Sequence, residues 1–95
     1  MKTSLDLTKL IETSNAVPDR TLQSVFMHLV EEVGEVSVCI NRPHKATEPL
    51  LGEIGDVLTC ALDLYLRAYG NDLGPLNDSI NEKCAKWLRV AIAEA

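Results

Sequence analysis

The chain has 95 residues, 46% apolar and 24% charged, which is the composition of one small folded domain spanning 1–95. Fourteen acids against nine bases leave a formal charge of −5 with few aromatics, which argues against nucleic acid and anionic membranes as partners. A domain this short buries a modest share of its surface, so a homo-oligomer is expected.

Gly and Pro are few and clustered, and they cut the chain into four segments with helical periodicity. The first, about 4–14, carries Leu7, Leu10 and Ile11, and Asn15 and Pro18 mark its end. Asp6 and Lys9 interrupt its start, so no signal peptide is expected.

The second segment, about 19–41, repeats Leu22, Val25, Phe26, Leu29, Val30, Val33, Val36 and Ile40 along one arc of a helix. Residues 18–21 offer several ways to cap its start, and Pro43 stops it. The third, about 48–69, has a broad apolar face from Leu50 to Ala68, with Gly70 as its stop. The fourth, about 75–94, places Leu76, Ile80, Cys84, Trp87, Leu88 and Ala91 on one face. Asp72 is expected to cap the turn before it. Trp87 reads as core or subunit interface before it reads as a base-stacking platform. These segments predict an all-α fold, a bundle of about four helices that a second copy completes. No apolar run is long enough to span a bilayer.

Cys39, Cys60 and Cys84 form no C-x-x-C pair, and their spacing does not suit a zinc cage. They read as free thiols of a cytoplasmic protein. His44 follows Pro43 and reads as a loop residue.

Acid is concentrated on the two central segments, each with four acids and one base. In Glu31-Glu32-Val33-Gly34-Glu35, Glu32 and Glu35 are three apart and share one side of the helix. Glu32 borders the apolar arc, and Glu31 lies farthest from it. In Gly52-Glu53-Ile54-Gly55-Asp56 the same spacing recurs, with Glu53 at the edge of the apolar face. Gly34, Gly52 and Gly55 each cost about 1 kcal/mol in a helix. Their missing Cβ atoms would let two helices, or a ligand, approach closely. Packed antiparallel, the two helices bring four carboxylates together. Hard divalent cations relieve the repulsion, and an all-oxygen set suits Mg2+, with Mn2+ as a substitute. Acid pairs also occur on solvated helix faces, where they bind nothing.

Magnesium is often completed by substrate phosphates, which points to a phosphoanhydride substrate and a cation-activated water. His28 lies one turn before the acids and either orders a carboxylate, touches substrate or is merely exposed. Lys83, Lys86 and Arg89 offer charges for phosphates or a solvated face. Asn77 and Asn81 offer hydrogen bonds to a base or sugar. There is no Walker loop, Rossmann fingerprint, G-x-S-x-G or Cys/His nucleophile pair. Neither acid pair forms the Glu-x-x-His of a di-iron bundle.

Glu32-Val33-Gly34-Glu35, seventeen intervening residues and Glu53-Ile54-Gly55-Asp56 resemble the E-x-x-E…E-x-x-D signature of MazG-like nucleoside triphosphate pyrophosphohydrolases. The likeness covers about 20–90 and is similar to the compact single-domain members. It implies an all-α enzyme that uses magnesium to hydrolyse nucleoside triphosphates, often deoxynucleotides, to monophosphate and pyrophosphate. It further implies a homodimer or a dimer of dimers, with helices of two chains building each site, and a role in cleaning nucleotide pools. By this likeness Glu32, Glu35, Glu53 and Asp56 would be metal ligands, and Glu31 an additional catalytic acid. Asn81, Lys83, Lys86 and His28 would be the nearest substrate-binding candidates. The rival expectations are a non-catalytic helical module that binds a partner protein, or a phosphohydrolase for another phosphorylated metabolite.

Overall fold

Local side-chain chemistry sets where each helix begins. Asp6 Oδ1 accepts hydrogen bonds from the Thr8 N–H at 3.0 Å and from Thr8 Oγ1 at 2.7 Å. That short loop holds residues 4–7 outside the helix. In the computed structural model, which describes residues 1–94, α1 therefore spans Thr8–Ala16, not the expected 4–14. Thr21 is extended, and its side chain accepts from the Ser24 N–H at 3.1 Å. It is the N-cap of α2, Leu22–Asn41. A 3-10 turn, Pro43–Lys45, follows.

The third helix, α3, runs Leu50–Tyr69 and stops at Gly70, whose φ of +93° disfavours any residue with a Cβ. Asp72 closes the turn before the next helix as expected, accepting from the Gly74 N–H at 2.9 Å. Tyr65, stacked on Tyr69 with ring centroids 5.3 Å apart, fixes that corner by donating its hydroxyl to the Asp72 carbonyl at 2.7 Å. The fourth helix, α4, spans Gly74–Glu94. All four helices are present and no strand occurs among the described residues. No described helix is long and apolar enough to cross a membrane.

Helices α2 and α3 form an antiparallel hairpin, and α1 packs on α3. Arg67 of α3 donates to the carbonyls of Ser14 at 3.2 Å, Val17 at 2.7 Å and Pro18, so a cation closes the carboxyl end of α1. Helix α4 leaves the hairpin and is exposed along nearly its whole length.

The apolar stripes are only partly covered. Val25 and Leu66 are the buried apolar side chains among the described residues. Phe26, Val33 and Ile40 of α2, Ile54 and Leu58 of α3, and Leu88 of α4 remain exposed. Trp87 is 74% exposed and belongs to no core within one chain. A compact monomer of this length exposes about 5,400 Å2, whereas this chain exposes 7497 Å2. Its radius of gyration, 15.7 Å, exceeds the roughly 12–13 Å of a compact fold. Both excesses follow from a splayed α4 and uncovered stripes.

Candidate metal centre

Glu53 sits in the first turn of α3, where the helix dipole favours an acid. Its side chain is turned against α2 and is only 4% exposed. One carboxylate oxygen each from Glu32, Glu53 and Asp56 lie within 4.8 Å of one another. The antiparallel hairpin brings these acids together from positions 21 and 24 residues apart.

Burial pushes the Glu53 carboxyl up to about 7, helped by a hydrogen bond with Glu48 and by the charges of Glu48, Glu35 and Asp56. Glu53 Oε2 is buried and has no hydrogen-bond partner among the described residues. A buried acceptor without a donor is costly, and a cation satisfies it directly. The donor set is oxygen only, which suits a hard divalent ion such as Mg2+ or Mn2+.

The remaining candidates divide. His28 Nε2 lies 3.3 Å from Glu32 Oε1, one turn away on α2, so it holds a cluster carboxylate. Glu35 stands outside the three-oxygen cluster, yet its charge acts on Glu53. Glu31 is exposed and lines a shallow depression with Ser24, Met27 and His28. Asn81, Lys83 and Lys86 are exposed on α4. The chain's own α4 does not carry these three to the cluster: among the described residues they form no hydrogen bond or ion pair with it.

The glycine expectation needs correction within one chain. A Cβ at Gly34 or Gly55 would meet open space, so no helix of the same chain approaches there. A Cβ at Gly52 would meet only the Glu48 side chain, at 3.0 Å from Oε1.

Glu48 was missed by periodicity. It precedes Pro49, off the helix, and no helical spacing pairs it with Glu53. Cys39 and Cys60 are poorly suited as nucleophiles. Burial raises the Cys60 thiol, as do the charges of Glu32, Asp56 and Asp63. Burial likewise raises Cys39, together with Glu53, Glu35 and Glu48.

Beside the cluster lies a cavity of about 520 Å3 between α1, α2 and α3. His28 and Cys60 belong to its wall, and both also face the cluster, through the Glu32 contact and through the Glu32 and Asp56 charges on the thiol. A second unanticipated group forms its floor. Asp63, buried, accepts from Ser14 Oγ at 2.6 Å and from both terminal nitrogens of Arg20, one at 2.9 Å. Burial alone would raise the Asp63 carboxyl, but these bonds prevail and hold it below the usual carboxylate range. An acid inside the run Ala61-Leu62-Asp63-Leu64 was the available sequence signal, since a buried acid requires a partner.

A scan against family models finds no match, and searches of curated proteins and of solved structures likewise find none.

Proposed function

We propose that this chain is a magnesium-dependent nucleoside triphosphate pyrophosphohydrolase of the MazG-like kind, which releases monophosphate and pyrophosphate. The observation that carries the reading is the buried Glu53 carboxylate, whose Oε2 has no hydrogen-bond partner among the described residues, flanked by Glu32 and Asp56. That arrangement is unstable as a bare group of anions and is suited to a divalent cation. Glu32, Glu53 and Asp56 hold the ion, Glu35 extends the acidic set, and Glu31 faces solvent as an additional acid. His28 orients Glu32. When bound, the cation neutralises phosphate charge and acidifies a water.

The assembly in this reading is a homodimer or a dimer of dimers in the cytoplasm. The surplus surface, near 2,000 Å2 by the comparison above, matches what an obligate interface buries. The open space beside Gly34 and Gly55 and the basic face of α4 would then be used between chains. Asn81, Lys83 and Lys86 would reach phosphates across that interface. Deoxynucleotides and pool cleaning are the substrate and role that go with it.

Replacing Glu53 or Asp56 with Ala tests the reading. Turnover should be abolished while helicity by circular dichroism is retained. Unchanged turnover would remove the metal role. A partner-binding module without activity would bind neither magnesium nor a nonhydrolysable nucleotide in calorimetry.

A further inference from the structure

Two pairs of metal-ligating residues meet at the α2–α3 hairpin. His28 and Glu32 stand four apart on α2, and Asp56 and Cys60 stand four apart on α3. That spacing puts both members of a pair on one face of their helix, one turn apart, as in helical zinc-binding pairs. The hairpin brings the pairs together. Carboxylate oxygens of Glu32 and Asp56 lie within 4.8 Å of each other. His28 and Cys60 line the same cavity, and the Cys60 thiol feels the charges of both acids. The cysteines are too far apart in sequence for a zinc cage of their own, yet folding gives one of them a nitrogen and two carboxylates as neighbours.

Three observations point to an ion at this place. His28 Nε2 and Glu32 Oε1 are 3.3 Å apart, roughly the separation of two ligands bound 2.0–2.1 Å from one tetrahedral ion. Glu53, only 4% exposed, belongs to the same oxygen group and leaves its Oε2 without a partner among the described residues, so the gap lacks positive charge. Cys60 is a free, half-buried thiol, and His28 keeps 62% of its side chain exposed, which gives an ion its entry from solvent. Cys39 differs, since it donates to the Glu48 carbonyl at 3.5 Å and faces Glu53 and Glu35 instead.

We propose that His28, Glu32, Asp56 and Cys60 form a second, thiophilic binding mode of this cluster, which takes zinc and shuts out magnesium. The metal site stands on these residues; its inhibitory consequence rests on the magnesium reading above. Imidazole and thiolate favour zinc, whereas magnesium selects carboxylate and water oxygens. The three carboxylates form the closest group, and His28 and Cys60 stand just outside it. Side-chain rotation brings the imidazole and the thiol onto the ion, and the thiol releases its proton to solvent as the metal–sulfur bond forms. Four protein ligands complete a tetrahedral ion and leave no position for water or phosphate. The zinc form is therefore inactive, while magnesium keeps positions open for both.

The test adds Co2+, a spectroscopic stand-in for zinc, to the reduced full chain in magnesium-free buffer. An equimolar amount should give a sulfur-to-cobalt charge-transfer band and the strong visible bands of a four-coordinate ion, and zinc should abolish both. Cys60→Ser should remove the charge-transfer band, and Cys39→Ser should keep it. His28→Ala should weaken cobalt binding at least about tenfold, since loss of even an outer partner of a metal ligand costs that much. No charge-transfer band, a band that persists in Cys60→Ser, or unchanged affinity in His28→Ala would overturn the proposal. Turnover assays separate it from the enzymatic reading. Equimolar zinc should abolish magnesium-dependent pyrophosphate release in the wild type and spare it in Cys60→Ser. Equal suppression in both would overturn the proposal while leaving the pyrophosphohydrolase reading intact. The cobalt signature with no hydrolysis under magnesium would support the metal site and defeat the enzymatic reading alone.

Discussion

Ser14 Oγ donates to Asp63 Oδ1 at 2.6 Å, tying the end of α1 to the middle of α3 across 49 residues of sequence. Arg20, just before α2, pairs with the same carboxylate. One acid therefore holds three elements together, and it forms the floor of the cavity beside the acidic cluster.

Asp63→Ala leaves Arg20 and Ser14 without their acceptor. Removing one partner of a buried pair costs about 3–5 kcal/mol. Arg20 keeps 31% of its side chain exposed, so water recovers part of that loss. The expected cost is about 2 kcal/mol, read as a lower urea midpoint with an unchanged slope. An unchanged midpoint would mean that α1 docks by other contacts.

Glu53 gives metal-free stability an unusual pH dependence. Its carboxyl titrates near 7 in the folded chain against an ordinary 4.5. The folded state thus holds a proton that the unfolded state releases, and stability falls as pH rises from about 4.5 to 7. Asp63 acts in the opposite sense. Its carboxyl is held below the ordinary 3.8, so its contribution is present above that value and is lost as pH falls further. In chelator, the wild-type melting temperature should be lower at pH 8 than at pH 5. Glu53→Gln should flatten that decline and melt higher than wild type at pH 8. A wild-type curve that rises over this interval would contradict the burial of Glu53.

In the proposed reading magnesium would compete with the same proton. Its stabilisation should be large at pH 8 and small at pH 5. At a concentration a hundred times its dissociation constant, a single bound ion adds about 2.7 kcal/mol. Scanning calorimetry at the two pH values measures the difference. Equal shifts at both would place the ion elsewhere.

The amphipathic period revealed all four helices, because apolar residues three and four apart need no tertiary knowledge to recognise. Helix starts were less readable. Asp6 and Thr21 act through their own backbone neighbourhoods, and several nearby residues had the same chemistry. Glu32, Glu53 and Asp56 could be grouped in advance, since each lies at a helical spacing from another acid and beside an apolar face. Glu48 and the Arg20–Asp63 pair could not, because a loop residue and a long-range pair leave no periodic trace. The direction of α4 was equally hidden: an apolar stripe states that it needs cover, not which chain supplies it.

The uncovered stripes make assembly measurable. Sedimentation should give a mass at least twice that of one chain. Trp87→Ala removes a large exposed aromatic from α4 and should weaken association at least about tenfold, as loss of an interface anchor does. A monodisperse monomer at micromolar concentration would rule out the shared site.

Gly70 ends α3 at φ +93°, where a Cβ is strained. Gly70→Ala should cost about 1–2 kcal/mol. Thermal unfolding measures it, and no loss would mean that the α3–α4 corner relaxes freely.

The proposed activity is a cation-dependent cleavage of nucleoside triphosphates at the Glu32, Glu53 and Asp56 cluster. The most direct measurement is phosphorus NMR of the products from the eight common ribo- and deoxyribonucleoside triphosphates, first with magnesium and then with chelator. Monophosphate and pyrophosphate are expected with magnesium, and neither with chelator. Orthophosphate and diphosphate, or no cleavage of any of the eight, would contradict it.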